Sequence, residues 1–240
     1  MNKLLIMKGF IVVTTMVMLG CAPAYIPNAV NVPLLSNQGQ FSGAVQAGTN
    51  GYDLQTSYAL TPQLAVMANG SIYSAEGEST GTKQKRSFGE GGLGYYTAFS
   101  GSGRLEIFSG YGQGLSSYVD DFDFFGPQKV EVEGRYYRIF LQPSIGTVTS
   151  FFDGALSLRA CYVNFYQIKN DGVTLDHSVD GMFLEPVLTA RLGYKQVKFV
   201  TQIGYSLPVG KDVEMLWQPF FFNLGLNFNL GQKEKTAESK

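Results

Sequence analysis

Phe220-Phe221-Phe222-Asn223-Leu224-Gly225-Leu226-Asn227-Phe228-Asn229-Leu230 carries the clearest alternation in the chain. Large apolar side chains occupy every even position, and Asn or Gly occupies positions 223, 225, 227 and 229. Successive side chains of a strand point to opposite faces, so this segment has one apolar face and one small, polar face.

The same period of two runs backwards through the chain to Gly39. Ten strands are expected, at about 39–48, 51–60, 63–74, 86–99, 104–118, 134–148, 154–167, 182–194, 197–207 and 217–230. The 29 glycines, 14 tyrosines and 18 phenylalanines of the 240 residues agree with an all-β chain. The connections alternate: Thr61-Pro62, 100–103, 149–153 and Lys195-Gln196 are short, while 75–85, 119–133, 168–181 and 208–216 are long. Thr49-Asn50 is a tight exception on the long side. Short turns at one end and long loops at the other mark an up-and-down antiparallel transmembrane β-barrel of ten strands, with eight as the alternative.

Charge decides which face meets lipid. The arginines within strands (Arg104, Arg138, Arg159, Arg191) alternate with apolar neighbours, and Asp53, Glu90, Glu106 and Glu185 share their polar face. Each arginine facing lipid at mid-depth would cost roughly 2–4 kcal/mol. These eight residues are therefore expected in a lumenal ion-pair network, since a guanidinium fork matches a carboxylate in two-point contacts. The lysines of the mature chain, Lys83, Lys85, Lys169 and Lys198 among them, are read as lying in loops, turns or tail. Tyr96, Phe108 and Phe140 are expected to fill the interior, and the aromatics near strand ends, such as Tyr111, Tyr137 and Tyr166, suit interfacial girdles.

Four segments are expected. Residues 1–20 are a secretory signal: Lys3 and Lys8 precede an apolar run, Gly9 to Leu19, too short to cross a bilayer. Met18-Leu19-Gly20-Cys21 forms a lipobox, which makes Cys21 the lipidation site; a cut after Ala22-Pro23-Ala24 is the rival. Residues 21–38, with Pro23, Pro27 and Pro33, read as an extended tether rather than a packed element. The barrel spans 39–230, and 231–240 is a polar tail. An even strand number puts both ends of the barrel on the short-turn, periplasmic side, and with them an acyl group on Cys21.

The spacing Asn223-x-Gly225-x-x-Phe228-x-Leu230 resembles the terminal strand signal of outer-membrane β-barrels. The stretch from Tyr25-Ile26-Pro27-Asn28 to Asn69-Gly70-Ser71, with Tyr58-Ala59-Leu60-Thr61-Pro62, is similar to predicted outer-membrane barrel lipoproteins of Gram-negative bacteria. The resemblance implies a place in the bacterial outer membrane, among its lipids and lipopolysaccharide, and assembly by the barrel-assembly machinery through the last strand.

Chemistry is sparse. A net charge of -1 and the lack of a basic run with interleaved aromatics argue against nucleic acid. No dinucleotide, phosphate-loop, zinc or paired-cysteine motif occurs, and no cofactor is expected. The run Gly89 to Gly94 lies within a strand, where glycines make room for bulky lumenal neighbours. Asp121 and Asp123 copy two positions of a calcium loop, but Phe125 and Val132 stand where carboxylates belong. His177, between Asp176 and Ser178, has the residue types of a rim hydrolase without a motif's spacing. The long loops, with Arg86 included, hold twelve acids to six lysines or arginines, which suits divalent-cation bridges to lipopolysaccharide. Three readings compete: an interaction or structural barrel with a filled lumen and an unidentified extracellular partner, a small channel for ions or small solutes, and a hydrolase near His177.

Overall fold

The computed structural model describes residues 24–77, 82–120, 130–194, 196–210 and 213–231. Residues 1–20, Cys21, Asp121, Asp123 and the tail after Gly231 lie outside the described residues.

Alternation over the whole chain produces strands β1 (Phe41–Gly48), β2 (Gly51–Ala59), β3 (Leu64–Glu76), β4 (Lys83–Phe99), β5 (Gly103–Asp120), β6 (Val130–Val148), β7 (Phe152–Asn170), β8 (Val173–Leu175), β9 (Val179–Tyr194), β10 (Val197–Tyr205), β11 (Leu207–Val209) and β12 (Phe220–Leu230). Ten of these form a closed antiparallel barrel: β7 pairs with β9, and β12 pairs with both β10 and β1. The short β8 folds back on β7, and β11 on β9. Ten strands, not eight, make the wall.

The closing seam follows from the quoted stretch. Phe41 lies opposite Leu230 and Gly48 opposite Asn223. A side chain at Gly225 would put its first carbon 2.0 Å from the carbonyl of Val45, so only hydrogen fits there. Asn223, Asn227 and Asn229 are buried, while Leu224, Leu226, Phe228 and Leu230 are exposed. The same inversion holds around the wall: arginines, glutamates and glutamines lie inside, and Leu141, Ile145, Leu156 and Leu188 cover the outside. A barrel with its oily face outward matches lipid, not water.

The height of the oily band is visible on β6. Ile139, Leu141 and Ile145 are exposed below Tyr137, while the exposed Arg135 and Glu133 lie above it. Tyr137 meets Tyr111, Tyr162 and Tyr166 of the adjacent strands at ring separations of 6.0, 6.1 and 6.2 Å. This tyrosine cluster marks one interface, about ten residues along the strand from the short turns, which is the span of a tilted membrane strand.

Above the tyrosines the wall is lopsided. β4 to β7 run on as a tall, polar sheet, whereas β1, β2, β10 and β12 stop near the interface. The expected loops 75–85, 119–133 and 168–181 are correspondingly trimmed by extra strand. The β4 extension, Lys83 to Arg86, is polar at every position and lacks the apolar signal by which a strand is read, whereas Val130-Glu131-Val132-Glu133 of β6 does alternate and continues the strand beyond its expected start. The lysine reading needs correction: Lys83 and Lys85 lie in the β4 extension and Lys169 in that of β7, while Lys198 lies in β10 beside the short turn. Lys198 is buried and ion-paired with Asp153 at 2.5 Å.

Inside, aromatic rings lie over glycines on the neighbouring strand. Gly94 faces Phe108, Gly110 faces Phe140 and Gly114 faces Tyr136. A side chain at Gly94 or Gly110 would start within 2.3 or 2.6 Å of the facing ring. Large rings thus fill a narrow lumen without pushing the strands apart.

Candidate functional site

The lumen is occupied by the chain itself. Residues 25–35 are extended, as a tether would be, but they are packed: Tyr25, Ile26, Asn28, Ala29, Val30, Val32, Leu34 and Leu35 are each at most 2% exposed. Composition gave no sign of this, because small apolar residues, Asn and Pro serve a linker and a threaded segment equally well. This strap, residues 25–35, replaces the free tether.

An extended segment away from a sheet edge has unpaired amides, and the barrel wall supplies their partners. Each carbonyl from Tyr25 to Val32 accepts a hydrogen bond. Tyr25 O takes the N–H of Gln218 (2.9 Å), Ile26 O an Nη1 of Arg86, and Pro27 O the Nδ2 of Asn50 (3.0 Å). Asn28 O takes Arg159 Nη2 (3.0 Å), Ala29 O takes Gln55 Nε2 (2.9 Å) and Val30 O takes Gln202 Nε2 (2.6 Å). Asn31 O takes Gln142 Nε2 (2.7 Å), and Val32 O takes Arg191. Acceptors serve the strap's amides: Asp53 for Ala29 (3.2 Å), Gln202 for Val30 (3.1 Å) and Glu106 for Leu35 (2.7 Å).

At mid-height the charges gather around Asn28. Its Oδ1 accepts from Arg138 (2.7 Å) and Arg159 (3.0 Å), and its Nδ2 donates to Glu90 (3.2 Å). Arg138 is ion-paired with Glu90, and Arg159 with Glu185 at 2.6 Å. The Tyr25 hydroxyl donates to Glu185 (2.9 Å) and accepts from Arg138 (3.0 Å). Phe88 lies 4.5 Å under the Arg138 guanidinium, which compensates part of its burial. In this buried setting each of the four charges is paired and further hydrogen-bonded, the condition under which buried ions are tolerated.

The eight residues singled out in the sequence are therefore all buried, but they divide. Arg138, Arg159, Glu90 and Glu185 form pairs. Asp53, Glu106 and Arg191 bind the strap's backbone, and Arg104 donates to the carbonyls of Gly101 and Gly103 (3.2 and 2.8 Å). Sequence reading missed Arg86, Lys198 with Asp153, and the strap residues Tyr25 and Asn28. The inward period of two would have flagged Arg86; nothing local flags the strap.

His177 is exposed, and no hydrogen-bonded acid holds it among the described residues. No group of three or more His, Cys, Asp or Glu side chains suited to a metal ion occurs among the described residues. Cys161 is buried on β7, with its sulfur 3.6 Å from the Tyr25 hydroxyl.

No protein-family model matches the chain. No curated protein matches it either. Among solved structures it is similar to the translocator domain of the autotransporter NalP from Neisseria meningitidis, at 10% identity and a TM-score of 0.45, over 79% of this chain and 86% of that one. It is also similar to the COG4313 outer membrane channel from Pseudomonas putida F1, at 14% identity and a TM-score of 0.41, over 85% and 100% of the two chains. A third is LpxR from Salmonella typhimurium, at 12% identity and a TM-score of 0.34, over 79% and 99%. The chain is, on its own strand pairing, a closed ten-stranded antiparallel β-barrel. None of the three lends it an activity.

Proposed function

We propose that this protein works in the bacterial outer membrane as a closed barrel, its lumen sealed by its own strap and its tall outer wall serving as an interaction surface. The observation that carries this reading is the unbroken set of hydrogen bonds from the wall to each strap carbonyl between Tyr25 and Val32. Each such bond is worth about 0.5–1.5 kcal/mol once water replaces it, so withdrawing the strap forfeits the whole series together. A solute path would require that withdrawal. Acid-rich loops above the tyrosine cluster suit cation-bridged contact with lipopolysaccharide, and β12 suits delivery to the assembly machinery.

Planar-bilayer recording tests the proposal. The full-length protein should be silent, and a variant lacking residues 25–35 should show discrete conductance steps. Steady single-channel steps from the full-length protein would favour the small channel instead. Hydrolysis of an outer-membrane lipid, lost in His177→Ala, would favour the rim enzyme.

A further inference from the structure

The strap has a direction. At one end, Ser36 bonds to Gln40 beside the short turns, and Leu35 bonds to Glu106, near the start of β5. Val32 meets Arg191 near the short-turn end of β9. Val30 then reaches Gln202 at the middle of β10, and Pro27 reaches Asn50 in the turn at the other rim. At the far end the amides of Ala24 and Tyr25 both donate to the carbonyl of Leu216, at 2.9 and 3.1 Å, in the long connection before β12. The strap therefore crosses the barrel from the short-turn rim to the long-loop mouth. No exit exists between strands, because each wall strand is paired on both sides.

Ala24 lines a cavity of about 570 Å³ on the inside of the tall wall, with Gln84, Ser116, Tyr118, Phe165 and Met215. Ala24, the first described residue, therefore opens on this vestibule. Cys21 is three residues earlier, and three extended residues span at most about 11 Å. The short-turn rim, by contrast, is the whole strap away.

We propose that the chain preceding Ala24, Cys21 included, lies on the same side of the membrane as the long loops, opposite the end of β12. This placement reverses the expectation that both ends of the chain sit at the short turns. That expectation followed from counting strands, and the strap adds one further crossing inside them.

Epitope accessibility in cells tests the placement, independently of whether the barrel conducts. One full-length form carries an epitope with short Gly-Ser spacers between Pro23 and Ala24; another carries it after Lys240. Heat-modifiable gel mobility confirms that each is folded. An antibody should bind the first in intact cells, and the second after the outer membrane is permeabilised. Binding of the first only after permeabilisation, or its loss from the mature chain by cleavage after Ala24, overturns the proposal. If the insertion prevents folding, Ala24→Cys and Gln38→Cys replace it. A membrane-impermeant maleimide should label Ala24→Cys in intact cells and Gln38→Cys only in permeabilised ones, and the opposite pattern overturns it.

Discussion

The side-chain amide of Gln202 holds the backbone of Val30 from both directions: Oε1 accepts from the Val30 N–H at 3.1 Å, and Nε2 donates to the Val30 carbonyl at 2.6 Å. A glutamine on the wall thereby does for the strap what a neighbouring strand does in a sheet. Thr189 accepts a further bond from the same Nε2 at 3.1 Å and fixes its orientation.

Replacing this glutamine by leucine, Gln202→Leu, leaves the amide and carbonyl of Val30 without partners. The expected loss is about 1–3 kcal/mol for each unpaired group. Reversible urea unfolding in lipid vesicles, followed by gel mobility, measures it; an unchanged midpoint would show that the strap does not depend on this contact.

Arg138 faces a harsher test. Arg138→Met strands the Glu90 carboxylate in the lumen and should destabilise by about 3–5 kcal/mol. Adding Glu90→Gln removes the stranded charge, so the double variant should be more stable than Arg138→Met alone. A double-mutant cycle in the same assay reads the difference, and strictly additive losses would contradict the pairing.

The ring-over-glycine packing predicts a rescue. Gly110→Val drives its side chain towards Phe140 and the carbonyl of Gly91, at a cost of about 1–3 kcal/mol. Phe140→Ala removes the ring but not the backbone clash, so the pair should regain only part of the loss. Gly94→Val meets ring atoms of Phe108 as its nearest neighbours, and Phe108→Ala should rescue it more fully.

The lipid boundary is testable on one strand. Leu141→Arg places a cation in the oily band and should cost about 2–4 kcal/mol, whereas Glu133→Arg, above the tyrosine cluster, should change stability by less than about 1 kcal/mol. Folded yield in vesicles of fixed thickness distinguishes the two, and equal yields would displace the band.

Much of the lumen was legible before any coordinates. Arg138, Arg159, Glu90 and Glu185 announce themselves because a charged residue flanked by apolar neighbours in a strand must face the other way. Their partners were not legible. Register across strands brings Arg159 opposite Glu185, and alternation along one strand carries no information about the next. Lys198 was misread because one lysine beside a turn looks solvated until Asp153 is placed against it.

Alternation along the chain specifies an up-and-down barrel, of ten strands with eight as the alternative, with a polar lumen and an oily exterior, because a period of two sorts side chains between two faces and lipid tolerates only one of them. The number of strands and the filling of that lumen follow from the closed fold alone. Residues 25–35 contain no periodicity to read, and their place depends on partners from Asn50 to Gln218, far apart in the chain, that converge on a single backbone only when the wall has closed.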